Sequence, residues 1–178
     1  MWLLEGGALL AVLFNEDLVR LGIPAGGWED AVRAVGRLLV EAGAVEPRYV
    51  DGMVRMVKEI GSYIVVAPGV AIPHARPEEG AKRVAVAVGR LAEPVTFPGK
   101  DDNPVDLVIA FSGVDNTSHL GLIKGLAGLM RDGAGLRRVR DAKDRAELVR
   151  QLRPVFTGME TQKRNAADRA PCLAGREV

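Results

Sequence analysis

The stretch YIVVAPGVAIPHARPEEG, residues 63–80, decides how this chain is read. Its opening YIVVA, residues 63–67, is an unbroken run of strand formers, and Pro68-Gly69 ends it with turn chemistry. Apolar character without alternation predicts a strand buried on both faces, and a sheet of such strands needs helices to cover it. Past the turn, Pro73 restricts Ile72 to extended backbone immediately before His74. Ala71 and Ala75 leave little bulk around the imidazole, so another macromolecule can approach it closely. A lone histidine is more often a hydrogen-bonded packing residue, but stiff backbone and small neighbours are unusual care for packing.

Working outward, VAVAV at 84–88 and VDLVIAF at 105–111 are similar runs bounded by Gly or Pro, giving three buried strands. Between them PVTFPGKDDNP, residues 94–104, carries turn residues around a short edge strand at 95–97. Upstream, Trp28, Ala31, Val32, Val35, Leu38, Leu39 and Ala42 recur at helical spacing, predicting an amphipathic helix closed by Gly43. A second helix is expected from Pro47, burying Val50, Met53, Val54 and Val57 and ending at Gly61. Downstream, SGVDNTSHL leads into a helix with Leu122, Ile123, Leu126, Leu129 and Met130 on its apolar face, which puts His119 at that helix's N-terminus. A last amphipathic helix is expected over residues 143–152.

Length and composition set the frame. A chain of 178 residues fits one domain, expected over residues 1–156 with its core at about 10–152. Residues 157–178 show no sustained period and are expected to be a disordered tail. The 48% hydrophobic and 26% charged residues suit a globular protein, and a net charge of +1 argues against a nucleic-acid partner. The single cysteine, Cys172, has no partner for an intramolecular disulfide, so a reducing cytoplasm is the default location. The opening MWLLEGGALLAVLF lacks the basic start of a secretory signal and falls short of the roughly 20 residues that span a bilayer. It reads as a buried first segment, with no direct membrane insertion.

The chemistry rests on the two histidines. At a reference pKa of about 6.5, imidazole keeps a large neutral fraction near neutral pH, and its free lone pair can attack phosphorus. A phosphoryl group carried on His74 needs hydrogen-bond donors, and candidates are a second imidazole, Arg76, and backbone N–H groups at a helix start. His119 is placed for the first of these, because sites in open α/β sheets gather at the carboxyl ends of strands. Two histidines and a remote cysteine do not make a zinc site, and no cofactor motif is present. Asp115, Ser118 and His119 are neighbours without a nucleophile elbow, which disfavours a hydrolase. The basic residues between Arg131 and Arg153 read as a solvated helical face.

GVAIPHA, residues 69–75, resembles the active-site signature of the EIIA component of the phosphoenolpyruvate-dependent sugar phosphotransferase system, in its fructose and mannitol superfamily. With PVTFPGKDDNPVDLVIAF and SHL added, the chain is most similar to the ascorbate-type branch. WEDAV at 28–32 and VEPRYVDGMV at 45–54 extend the resemblance over about residues 10–152. It implies an α/β three-layer sandwich: a mixed sheet of about five strands with helices on both faces. It also implies a relay in which the phosphocarrier HPr gives a phosphoryl group to His74, which passes it to a cysteine of a IIB partner serving a membrane IIC channel. His119 matches the family's second histidine, which hydrogen-bonds the phosphoryl group. A gapless alignment from Tyr49 puts Met56 where fructose and mannitol members carry an arginine. Arg55 and Lys58 are the basic neighbours; whether one of them replaces that arginine as a phosphate or partner contact, or this branch does without it, stays open. The same acceptor chemistry would serve a regulatory module that binds partners according to its phosphorylation state.

Overall fold

The apolar runs assemble into one sheet. The computed structural model describes residues 11–99 and 103–167. Its strands are β1 (Val19–Ile23), β2 (Val65–Ala67), β3 (Val70–Ala71), β4 (Ala85–Phe97) and β5 (Asn103–Ser112), in the spatial order β1-β4-β5-β3-β2. β4 and β5 pair antiparallel at the centre, β1 lies parallel to β4, β3 lies parallel to β5, and β2 closes the far edge antiparallel to β3. The helices are α1 (Trp28–Glu41), α2 (Pro47–Ile60), α3 (Asn116–Arg131), α4 (Gly133–Asp141) and α5 (Arg145–Ala167). α1 packs on β4 and β5 with α2 against it, while α3, α4 and α5 form a second group whose α5 reaches β1.

Ala85, Val86, Ala87 and Val88 are all fully buried although they point alternately to opposite faces, so helices cover both sides of the sheet. The fold is therefore an α/β three-layer sandwich around a mixed sheet of five strands. Its core is continuous from Leu38 and Leu39 of α1 through Val108 and Phe111 of β5 to Leu122 and Leu126 of α3. Each large side chain buried there contributes about 1.5–3 kcal/mol.

Several details differ from expectation. β1 was not foreseen, because Arg20 and Gly22 interrupt its apolar pattern. The run at 63–67 is not a strand buried on both faces. Residues Gly61–Ile64 form a 3-10 turn, and only Val65–Ala67 pair, at the sheet edge. Pro68-Gly69, with Gly69 in the left-handed region at φ 76°, sends the chain back after three residues. The strand that reaches β5 is consequently β3, leaving Tyr63 85% exposed. Residues 95–97 are no separate edge strand either: they continue β4, whose register against β5 shifts between Arg90 and Val95.

α4 was also unforeseen, since its GAGLRRVRD is short, carries only Ala134, Leu136 and Val139 as apolar side chains, and buries only Gly135 and Val139. Among the basic residues there, Arg140 pairs with Asp106 at 2.6 Å, and Arg90 donates to the carbonyls of Arg140 and Ala142 at 2.7 Å. α5 runs on through residues 157–167, where the sequence suggested a tail. Glu160, Gln162, Lys163 and Arg164 are good helix formers that need no apolar stripe. Residues 168–178 lie outside the described residues. Of the first segment, 1–10 also lie outside them, Val12 and Leu13 are half-buried, and Phe14 is buried edge-on against Phe156 at 5.4 Å.

Candidate active site

Two strands that run in the same direction deliver the two histidines to one end of the sheet. β3 leads through Ile72 and Pro73 to His74, and β5, parallel to it, leads through Gly113 into α3 and His119. The imidazole centroids of His74 and His119 stand 5.1 Å apart at 64°. Phe111, near the end of β5, supplies a common floor. Its ring stacks on His74 at 4.6 Å and 21°, and lies 5.4 Å from His119.

The first turn of α3 is fixed from both sides. Asp115 accepts from the Ser118 N–H at 2.6 Å, and the Ser118 hydroxyl accepts from the Val114 and Asp115 N–H groups at 3.1 and 3.2 Å. This reciprocal capping box holds the backbone of His119 in register. Gly113 permits the turn to come so close, because a Cβ there would sit 2.7 Å from both N and Cα of His119.

His74 is half-buried, and its Nδ1 lies 2.8 Å from the carbonyl oxygen of Ile72. A carbonyl only accepts, so the neutral ring carries its proton on Nδ1 and leaves the Nε2 lone pair bare. Burial lowers the His74 pKa, the Ile72 bond opposes that shift, and the neighbouring His119 adds to it. Burial also lowers the pKa of His119, with the Glu78 carboxylate pulling the other way. His119 Nδ1 is buried with no hydrogen-bond partner among the described residues. The arrangement is thus a pair of imidazoles that burial biases toward the neutral form, one of them with its Nδ1 committed to a carbonyl.

The basic candidates divide. Arg76 is exposed next to Ala75, and no ion pair or hydrogen bond engages its side chain among the described residues. Lys58 is turned to α1, with Nζ 3.3 Å from Glu29 and 5.9 Å above the Trp28 ring. Arg55 pairs with Glu79, a residue of the segment that follows His74, whose carboxylate lies against Gly52 of α2.

One residue, used in the sequence only to anchor an alignment, proves to join the site's elements. Tyr49 of α2 is fully buried, and its hydroxyl lies 3.0 Å from the carbonyls of both Ala75 and Phe111 while accepting the Ala75 N–H at 3.2 Å. Burial pushes its phenol well above the usual tyrosine range. Its one signal in the sequence is a phenol on a helix face otherwise filled by Val and Met.

Comparison with known proteins bears on this geometry. Residues 12–154 match the family described as phosphoenolpyruvate-dependent sugar phosphotransferase system, EIIA 2. An ascorbate-specific PTS system EIIA component from Salmonella choleraesuis is 36% identical over 139 residues, 77% of this chain and 90% of that protein. The solution structure of a mannitol-specific cryptic phosphotransferase enzyme IIA from Escherichia coli superposes with a TM-score of 0.70 at 28% identity, covering 81% of this chain and 97% of that one. A complex of enzyme IIAMTL with phosphorylated enzyme IIBMTL, also from Escherichia coli, matches with a TM-score of 0.70 at 26% identity, covering 80% and 99%. Among the described residues no helix is long and apolar enough to cross a membrane.

Proposed function

The chain belongs to the phosphoenolpyruvate-dependent sugar phosphotransferase system EIIA 2 family, and from that premise we propose that it is a cytoplasmic phosphoryl carrier of an ascorbate-type system. It takes the group from HPr onto His74 and gives it to a IIB cysteine, and so serves a membrane IIC channel indirectly. Residues 1–156 are the acting unit, and no cofactor takes part.

The observation that carries this reading is the bond from His74 Nδ1 to the Ile72 carbonyl, with a second imidazole 5.1 Å away. As the Nε2 lone pair attacks phosphorus, the bond from phosphorus to its donor atom on HPr breaks. The His74 ring gains positive charge, which the carbonyl of Ile72 stabilises through Nδ1–H, so no proton need leave. In the second half the IIB thiolate attacks the same phosphorus, the N–P bond breaks, and neutral imidazole departs as the leaving group. His119 donates an N–H to the phosphoryl oxygens, and the Glu78 carboxylate favours the charged form of that ring as the dianion arrives. The free guanidinium of Arg76 adds positive charge at the rim. Rate comes from in-line placement and fixed donors inside a transient, partly desolvated interface.

Intact-mass spectrometry after incubation with phosphoenolpyruvate, enzyme I and HPr tests this. One acid-labile phosphoryl adduct is expected on the wild type and none on His74→Ala. A bare wild type beside a labelled control IIA protein would overturn the function. An adduct on the variant would overturn the site.

A further inference from the structure

We infer that Tyr49 is a positioning residue for phosphoryl transfer: its buried hydroxyl, bound at once to Ala75 and Phe111, sets the bearing of His74 Nε2 toward His119. The inference rests on the proposal that His74 is the carrier.

Three elements must agree for that nitrogen to point usefully. The His74 ring is held on one side by its own backbone, through Ile72, and on its face by Phe111. Neither contact fixes the loop after His74 relative to β5. The Tyr49 hydroxyl does so. It accepts the N–H of Ala75 and lies 3.0 Å from the carbonyl of the same residue, so both polar groups of the residue after His74 meet one phenol. The third contact, also at 3.0 Å, is the carbonyl of Phe111, the residue whose ring carries both histidines. One side chain from a third element therefore ties the loop of one histidine to the strand that leads to the other. Its ring is fully buried in a helix face closed off by the core, so the hydroxyl cannot swing away. A phenylalanine fills the same volume and loses all three contacts.

The test is Tyr49→Phe, in rapid-quench single turnover from phosphorylated HPr, at a temperature well below unfolding. We expect the maximal transfer rate to fall about 10- to 100-fold, as for a reacting group misplaced by up to about 1 Å, with the half-saturating HPr concentration within about twofold of wild type. The His74 Nδ1 and Nε2 resonances of the free protein should move with it, as the tautomer preference relaxes. Leu39→Ala, buried in α1, an element that carries neither histidine, controls for simple destabilisation and should leave both readouts unchanged. A wild-type rate in Tyr49→Phe, a loss equal to that of the control, or unmoved His74 resonances would each overturn the inference. An unlabelled wild type would instead defeat the carrier assignment, while the resonances would still report on positioning.

If Tyr49→Phe does not fold, 3-fluorotyrosine in a Tyr63→Phe background replaces it, because the chain has only these two tyrosines and Tyr63 is exposed. The fluorinated phenol keeps the contacts and changes their strength. The Ala75 amide and the His74 imidazole should then shift together. An unmoved imidazole, whether or not the amide shifts, sinks the proposal.

Discussion

Replacing Gly113 by alanine should cost this protein transfer rate as well as stability. Gly113 is not among the glycines in the left-handed region, so an alanine meets no backbone objection there. The obstacle is contact: its Cβ would stand 2.7 Å from N and Cα of His119 and 3.0 Å from its Cβ. Non-bonded carbons rest at about 3.5–4.0 Å, so the first turn of α3 must retreat by about 1 Å. None of the three atoms is the far end of a flexible side chain, and the capping box of Asp115 and Ser118 resists the movement. Overpacking of this kind costs about 1–3 kcal/mol, or about 2–12 °C of Tm for a domain of this size. Because the displaced turn carries His119, transfer from HPr should slow by up to about 100-fold. Thermal unfolding and single-turnover transfer on the same preparation read both quantities. Gly128→Ala, in the same helix with nothing within 4 Å, serves as control and should stabilise slightly at unchanged rate. A Gly113→Ala protein with lowered Tm and full transfer rate would show that the placement of His119 does not limit the reaction.

Other expectations follow from the same geometry. On the proposed mechanism, His119→Ala should slow transfer by about 100-fold or more without abolishing the adduct on His74, since it would remove one donor to the phosphoryl oxygens and not the nucleophile. A complete loss of labelling would assign His119 a different role. Both histidines have pKa values held below the ordinary 6.5, so as pH falls the unfolded chain takes up protons before the folded one does. Stability should therefore be intact above about pH 7 and decline from about pH 6.5 downward. The double variant His74→Ala, His119→Ala contains no histidine, and its urea midpoint should be flat between pH 7.5 and 5.5; an equal slope there contradicts the assignment. Gly69→Ala should lose about 1–3 kcal/mol in urea titration, because it places a side chain at φ 76° and drives a methyl group into the Arg140–Asp106 pair, with Asp106 Oδ1 at 2.9 Å. An unchanged midpoint would mean the β2–β3 turn adapts freely.

The legible parts of the fold were those in which one physical signal dominated. α1 and α2 have an apolar stripe and a defined end, and both lie where periodicity puts them. The central strands are continuous apolar runs, and β4 and β5 are indeed buried on both faces. The same signal misled at 63–67, because apolar content does not distinguish a central strand from an edge strand that doubles back. α4 and β1 were hidden for the opposite reason: each is short and, with glycine and arginine inside it, offers too few apolar residues to stand out, and its place is set by packing against distant elements. At the site, both histidines stood out by rarity and setting, and the structure brings their rings together. Tyr49 did not stand out, because its three polar contacts come from loops and strands remote in sequence. Nor could spacing alone separate Arg55 from Lys58. Three residues apart on α2, they engage different neighbours, Glu79 and Glu29.

The order of the strands also bears on how the chain folds. β4 and β5 follow one another and pair as the long central hairpin, the most extensive pairing in the sheet and one closed across a short connection. β1 and β3 join it from either side as parallel neighbours, recruited across much longer loops. β3 adds only two residues, Val70 and Ala71, so it holds little on its own until α2 and α3 close over the end of the sheet. His74 hangs from that late strand and His119 from the helix that follows the early one. A partly assembled chain can thus own a sound hairpin and still lack the histidine pair, so activity regained during refolding should lag behind strand formation.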